Sequence, residues 1–227
     1  MNFIELFQQY APSFIDALGL TVRLTIVSLV FASILGIVFG MFKVSSNKIL
    51  NFIATIYIDI IRGTPLLVQV FIMYFGVAGS ILQPMGMNWN DFGGGFTAGV
   101  VALSLNAGAY MAEIVRGGIE SVDKGQMEAA RSLGLTYGKA MRKVILPQAI
   151  RTMLPSIINQ FIISLKDTSL ISAIGLRELT FNSKIISANE SADVMSIYLI
   201  AAVYYLVICT ILSKVANVLE RRMSYGK

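Results

Sequence analysis

Apolar stretches long enough to cross a bilayer are the feature that most restricts this chain. Residues 18–42, LGLTVRLTIVSLVFASILGIVFGMF, carry a single charge at Arg23, and residues 194–216 carry a single charge at Lys214. A helix needs about 20 such residues to traverse a hydrocarbon core of about 30 Å at 1.5 Å per residue. Inside the bilayer each backbone N–H and C=O must be satisfied by the chain itself, which a helix does residue by residue. Five spans are predicted, at about 18–42, 50–75, 95–115, 148–166 and 194–216, so the fold class is an all-α integral membrane protein. Charged residues make up 14% of the 227, against about 25% in soluble domains, which excludes a water-soluble globule. The first twenty residues contain neither Lys nor Arg but do contain Glu5 and Asp16, so they are not expected to be a cleavable signal.

Charge placement sets the expected orientation. Segments 43–49, 116–151 and the tail from 214 hold thirteen Lys and Arg, whereas the alternate segments hold three, Lys166 included. Basic residues accumulate on the cytoplasmic side, so the N-terminus is expected outside and the C-terminus in the cytoplasm. The formal charge of +5 then follows from topology, and no nucleic-acid partner is called for. The chain has no histidine and one cysteine, Cys209, which removes the usual His-based nucleophilic triads and most zinc and haem sites. No cofactor is expected in this chain.

Polar residues at membrane depth call for partners or a watery cavity. In the second span Thr55, Asp59, Arg62 and Gln69 share a helix face. They form either a structural Asp59–Arg62 pair or a stripe lining a pathway. In the third, Asn106, Tyr110 and Glu113 share a face; Glu113 either pairs with Arg116 or stands free for a substrate's ammonium or guanidinium. Lys166 and Asp167, with Thr168 and Ser169, interrupt the apolar run after the fourth span, as a solvated outer corner or a polar gate. Gly36 and Gly40 form GxxxG, which permits close helix approach and is read as packing within the chain.

The segment of about 117–145 is too charged to span. A short helix is predicted between Gln126 and Leu133, with Glu128 in its first turn, where a carboxylate suits the helix N-terminus. Gly134 stands where a left-handed cap would lie, and a second helix is predicted from near Tyr137 into Leu146–Pro147. The stretch 134–140, GLTYGKA, has the wrong glycine spacing for a phosphate loop and Ala140 where Ser or Thr would hold magnesium.

Glu128-Ala129-Ala130, then Gly134, Val144 and Leu146-Pro147 resembles the EAA motif, which marks the membrane subunits of binding-protein-dependent ABC importers. The family usually has Ile at the position of Val144. The stretches 60–76, 104–134 and 146–175 are similar to the polar amino-acid branch of these permeases, and the resemblance covers roughly residues 15–220. It implies that 1–227 is a single permease domain with a cytoplasmic coupling helix between the third and fourth spans, in a bacterial cytoplasmic membrane. It also implies a second permease copy or paralogue, an external solute-binding protein and two ABC ATPase subunits. Those subunits carry MgATP and perform the hydrolysis, so this chain is not the enzyme. The expected joint with them is Glu128, Ala129, Ala130, Leu133 and Gly134, with Leu146 and Pro147 ending the motif. The expected substrate-facing residues are Glu113, Asn106, Tyr110, Asp59, Arg62, Gln69, Lys166 and Asp167. The cargo is expected to be a polar, cationic amino acid (arginine, lysine or histidine), with glutamine or glutamate as the alternative. A secondary transporter would need ten or more spans with internal repeats, and no second half is present; an intramembrane protease would need paired Asp motifs or a His partner for its serine, and the chain has neither.

Overall fold

A computed structural model describes residues 3–189 and 193–224. Lys227, counted above in the charge pattern, lies outside them. Among the described residues every regular element is helical: α1 (Phe3–Lys43), α2 (Lys48–Arg62), α3 (Leu66–Phe71), α4 (Gly94–Glu120), α5 (Lys124–Ser132), α6 (Tyr137–Ala140), α7 (Leu146–Asp167), α8 (Leu179–Asn189) and α9 (Val194–Ser224). Five helical runs among them are long and apolar enough to cross a membrane: Phe3–Lys43, Leu66–Met85, Gly94–Glu120, Tyr137–Ile174 and Val194–Ala216. The all-α, five-span expectation therefore holds, with three boundaries corrected.

The first correction is at α1, whose 41 residues make a rod of about 61 Å at 1.5 Å per residue, twice the hydrocarbon thickness. The helix begins at Phe3 rather than near residue 18 because Leu6, Phe14 and Ala17 bury against Leu179 and Ile186 of α8 and Ile197, Ile200 and Ala201 of α9. The Tyr204 ring stacks on Phe14 at 5.4 Å. The remainder of α1 lies along α4, and apart from Leu24 its buried stripe, Thr21, Thr25, Ser28, Ala32, Gly36 and Gly40, consists of small residues. A Cβ at Gly36 would lie 2.4 Å from Met111 Cβ, and one at Gly40 2.7 Å from Val115 Cβ. The GxxxG pair is thus filled by α4 of the same chain.

The second correction is the predicted single helix over 50–75. α2 starts at Asn47, whose side chain accepts from the N–H groups of Ile49 and Leu50, and stops at Gly63. Pro65 has no N–H to continue the ladder, and the helix resumes at Leu66 and runs, through two π-helical turns at Ile72–Gly76 and Ala78–Leu82, to Met85. The third is the fourth span, which extends beyond 148–166. Pro147 lacks the N–H for a carbonyl four residues back, and the preceding turn Met141–Ile145 widens to π instead of ending the helix. Beyond Asp167 a 3₁₀ turn, Thr168–Ile174, continues the rod. Thr168 is fully buried there, whereas Lys166 is exposed and Asp167 and Ser169 are half-buried.

α4 sits at the centre. Ala98, Gly99, Ala102, Ala107, Gly108, Ala109 and Ala112 are all buried, and such small residues let helix backbones approach closely. α1, α2, α3 and α7 pack against it, so side chains from α2, α3 and α7 converge on one stretch of α4.

Candidate functional site

The break between α2 and α3 opens a cavity of about 550 Å³ lined by Arg62, Thr64, Asn106, Tyr110, Gln160 and Asp167, among others. This volume is within the usual range for sites that enclose a small organic molecule. Four of the eight predicted substrate-facing residues, Arg62, Asn106, Tyr110 and Asp167, line it, as does Gln160, which sequence reasoning missed. Asn106 and Gln160 are nearly fully buried, and polar groups buried this way are normally hydrogen-bonded or turned to a polar space.

The other four do not line it. Gln69 serves the break itself: its Nε2 lies 2.7 Å from the Ile61 carbonyl, 3.0 Å from the Thr64 carbonyl and 2.9 Å from the Thr64 hydroxyl, and its Oε1 accepts from Asn106 Nδ2 at 2.9 Å. The interrupted backbone is therefore tied to α4 through one side-chain amide. Of the two readings for Glu113, pairing with Arg116 is the one the structure shows: the carboxylate accepts from Arg116 Nε at 3.1 Å and Nη2 at 2.9 Å and also faces Arg62 Nη1 at 3.4 Å. Asp59 is exposed on α2 and forms no ion pair with Arg62 among the described residues. The i,i+3 pair, one of the two readings of this stripe, does not form because the Arg62 guanidinium turns toward α4, where it also sits 5.4 Å above the Tyr110 ring. Lys166 points away from Asp167 into a separate groove with Ser169, Ala202, Tyr205, Leu206 and Cys209, since neighbouring residues on a helix face about 100° apart.

The second candidate region is α5. It begins two residues earlier than predicted, at Lys124, because the Asp123 carboxylate accepts from the Gly125 N–H at 2.7 Å and caps the helix. Glu128 therefore lies mid-helix and not in the first turn. The other end matches the expectation: Gly134 has φ +83°, its N–H bonds the Arg131 carbonyl at 3.0 Å, and the Leu135 N–H bonds the Ala130 carbonyl at 3.2 Å. This is the paired capping pattern that favours glycine at the left-handed position. Glu128 and Ala129 face outward while Ala130 is buried, and Leu133 is 85% exposed, an apolar side chain projecting beside the cap. Beneath α5, Met127 packs on a cluster of Val115, Ile119, Met141, Ile145, Ala149 and Met153 that joins the end of α4 to the start of α7. Leu146 packs on the same cluster, and Pro147 is exposed in the first turn of α7. α5 is thus joined on one side to the end of α4 and on the other, through α6, to the start of α7.

The family model described as the binding-protein-dependent transport system inner membrane component matches residues 32–225. The chain belongs to this family. The permease is 39% identical over 218 residues to the L-cystine transport system permease protein TcyB of Bacillus subtilis, covering 95% of this chain and 88% of that one. It is 41% identical over 214 residues to the glutamine transport system permease protein GlnP of Escherichia coli, covering 93% of each. With the arginine transport system permease protein ArtQ of Bacillus subtilis it shares 36% over 212 residues, again 93% of each. Among solved structures it superimposes on a crystal structure of an amino acid ABC transporter with histidines at TM-score 0.87 and 41% identity, covering 98% of this chain and 99% of that one. The permease is thus an inner-membrane amino-acid ABC transporter subunit, and ATP hydrolysis belongs to its partner subunits.

The permease also holds a buried carboxylate at Glu178, which sequence reasoning passed over. The residue is fully buried; it accepts from the N–H groups of Thr180 at 2.9 Å and Phe181 at 2.7 Å and from the Tyr205 hydroxyl at 2.8 Å. It caps α8 and ties it to α9. Burial pushes its carboxyl above the ordinary range, against the pull of those donors. An acidic residue directly before the run 179–186 was the available signal.

Proposed function

We propose that this permease domain, residues 1–227, forms the translocation pathway for a polar amino acid, with the cavity at the α2–α3 break as its binding station. The observation that carries this reading is the meeting of Arg62 and Asp167, of opposite charge and from different helices, in one cavity with the neutral donors and acceptors Asn106, Gln160 and Thr64. Arg62 suits the α-carboxylate, which guanidinium groups bind in bidentate fashion. Asp167 suits positive charge on the substrate, and this supports a cationic amino acid: arginine, lysine or histidine. A second reading, glutamine, is favoured by the two buried amides Asn106 and Gln160, which match a carboxamide donor for acceptor.

In this reading the α5 end faces the cytoplasm, as the charge pattern argues. Glu128, Ala129, Leu133 and Gly134 then meet an ABC ATPase subunit, with Ala130, Leu146 and Pro147 holding the joint to the spans. Two such ATPases carry MgATP, a second copy of this chain completes the pathway, and an external solute-binding protein delivers the substrate. Closure of the ATPases moves α5, and through the clamped ends of α4 and α7 it tilts the cavity between inward- and outward-facing states.

The test is uptake of a labelled amino-acid panel into proteoliposomes holding the assembled transporter and its binding protein. ATP-dependent arginine or lysine uptake that falls at least tenfold in Asp167→Asn is expected. Uptake of glutamine alone, unaffected by Asp167→Asn, selects the second reading, and uptake indifferent to ATP refutes both.

A further inference from the structure

The three ion pairs found among the described residues form a single ladder. Arg62 faces Glu113 at 3.4 Å, Glu113 is held by Arg116 at 2.9 Å, and Arg116 reaches Glu120. Positive and negative charges alternate from the cavity at Arg62 to Glu120, the last residue of α4, three positions before the Asp123 cap of α5. The rungs are unequal. Arg116 engages both Glu113 oxygens at hydrogen-bond distance, whereas Arg62 stands farther off, with its side chain 41% exposed and lining the cavity. The Arg62–Glu113 rung is therefore the separable one, and Arg62 belongs to the ladder and to the cavity at once.

We infer that the carboxylate of a bound amino acid competes with Glu113 for Arg62, so that substrate occupancy loosens the first rung and is read along α4, through Arg116 and Glu120, at α5. Glu113 is then a positioning residue that opposes substrate binding, contrary to the substrate contact that its place in the third span suggested. The inference rests on the cavity reading given above. Competition is reciprocal: substrate on Arg62 weakens the hold of Glu113 by the factor by which Glu113 weakens the hold of substrate, so whatever strengthens the Glu113 rung weakens substrate binding. Removing Glu113 frees Arg62. Removing Arg116 leaves the Glu113 charge to Arg62 alone. The two substitutions therefore act in opposite directions, which damage to packing would not produce.

The experiment uses the assembled transporter in proteoliposomes, and reads the amino-acid concentration that gives half-maximal stimulation of ATP hydrolysis. Glu113→Gln is expected to lower that concentration about two- to fivefold, the range of a partly exposed ion pair, and to raise hydrolysis without substrate. Arg116→Gln is expected to raise the concentration by a similar factor, and it carries the test by itself when Glu113→Gln does not assemble. A shift of both variants in the same direction, no shift in either, or weaker stimulation in Glu113→Gln overturns the competition. Arg62→Gln separates the two levels of argument. If it leaves the half-stimulating concentration unchanged, the cavity reading falls and the competition with it. If it weakens stimulation while the other two variants fail to diverge, only the competition falls.

Discussion

Replacing Gln69 by leucine removes the amide that spans the break between α2 and α3. The two Nε2 hydrogens serve the Ile61 and Thr64 carbonyls and the Thr64 hydroxyl, and Oε1 accepts from Asn106, so three good hydrogen bonds can exist at once. Side-chain hydrogen bonds in membrane helices average about 0.6 kcal/mol and reach about 1.7. Leaving the nearly buried Asn106 amide without its acceptor adds about 1–3 kcal/mol. Gln69→Leu is therefore expected to destabilise the permease by about 2–4 kcal/mol, although the side chains are of similar volume. The assay is reversible unfolding in mixed micelles, carried through a double-mutant cycle with Asn106→Leu. The cycle isolates the shared bond, whose coupling should lie between about 0.5 and 1.7 kcal/mol. Because the amide shapes the cavity wall, substrate-stimulated hydrolysis should weaken as well. A Gln69→Leu protein as stable as the parent, or a coupling of zero with Asn106, would refute the view that this amide holds the interrupted helix.

Two further outcomes test the packing and the buried charge. Gly36→Ala places a methyl 2.4 Å from Met111 Cβ and 3.2 Å from the Met111 carbonyl carbon, so it should cost about 1–3 kcal/mol or more by overpacking. Gly19→Ala in the same helix meets nothing within 4 Å and should stabilise by about 0.5–1 kcal/mol; melting temperatures in detergent should move in opposite directions. The raised carboxyl of Glu178 means that the folded state binds its proton more tightly than the unfolded chain. Its contribution to stability is fully present below the ordinary carboxyl value of 4.5 and is lost as pH rises through the higher folded value. The melting temperature should fall over that window in the parent, and this component should vanish in Glu178→Gln.

The features legible in the sequence were those written within a single helix or turn. Apolar runs announced the spans, and α9 begins at Val194, where its apolar run begins. Gly134 was recognisable as a left-handed cap because that conformation strains any residue with a Cβ. The composition of the cavity was half legible: Asn106 and Tyr110 share a face of α4, and their spacing was enough to point to it. Gln160 was not, because nothing in its own helix distinguishes it from packing polar residues. The partner of Arg62 was left open for the same reason, since an in-helix partner at Asp59 competes with one 51 residues away on α4 that no local pattern reveals.

By itself, then, the sequence determined that the chain is helical, that it lives in a bilayer, and that a short charged helix with a glycine cap joins two spans. Those outcomes follow from hydrophobic length, backbone satisfaction in lipid and the chirality of the residues, all of which act over a few turns. Only the tertiary structure decided which charges meet. It brought α2, α3 and α7 onto the small-residue face of α4, turned Arg62 to Glu113, separated Lys166 from Asp167 and buried Glu178 under Tyr205. Such pairings depend on how closely helix backbones approach, and that distance is set by side chains remote in sequence that pack against one another only after the bundle forms.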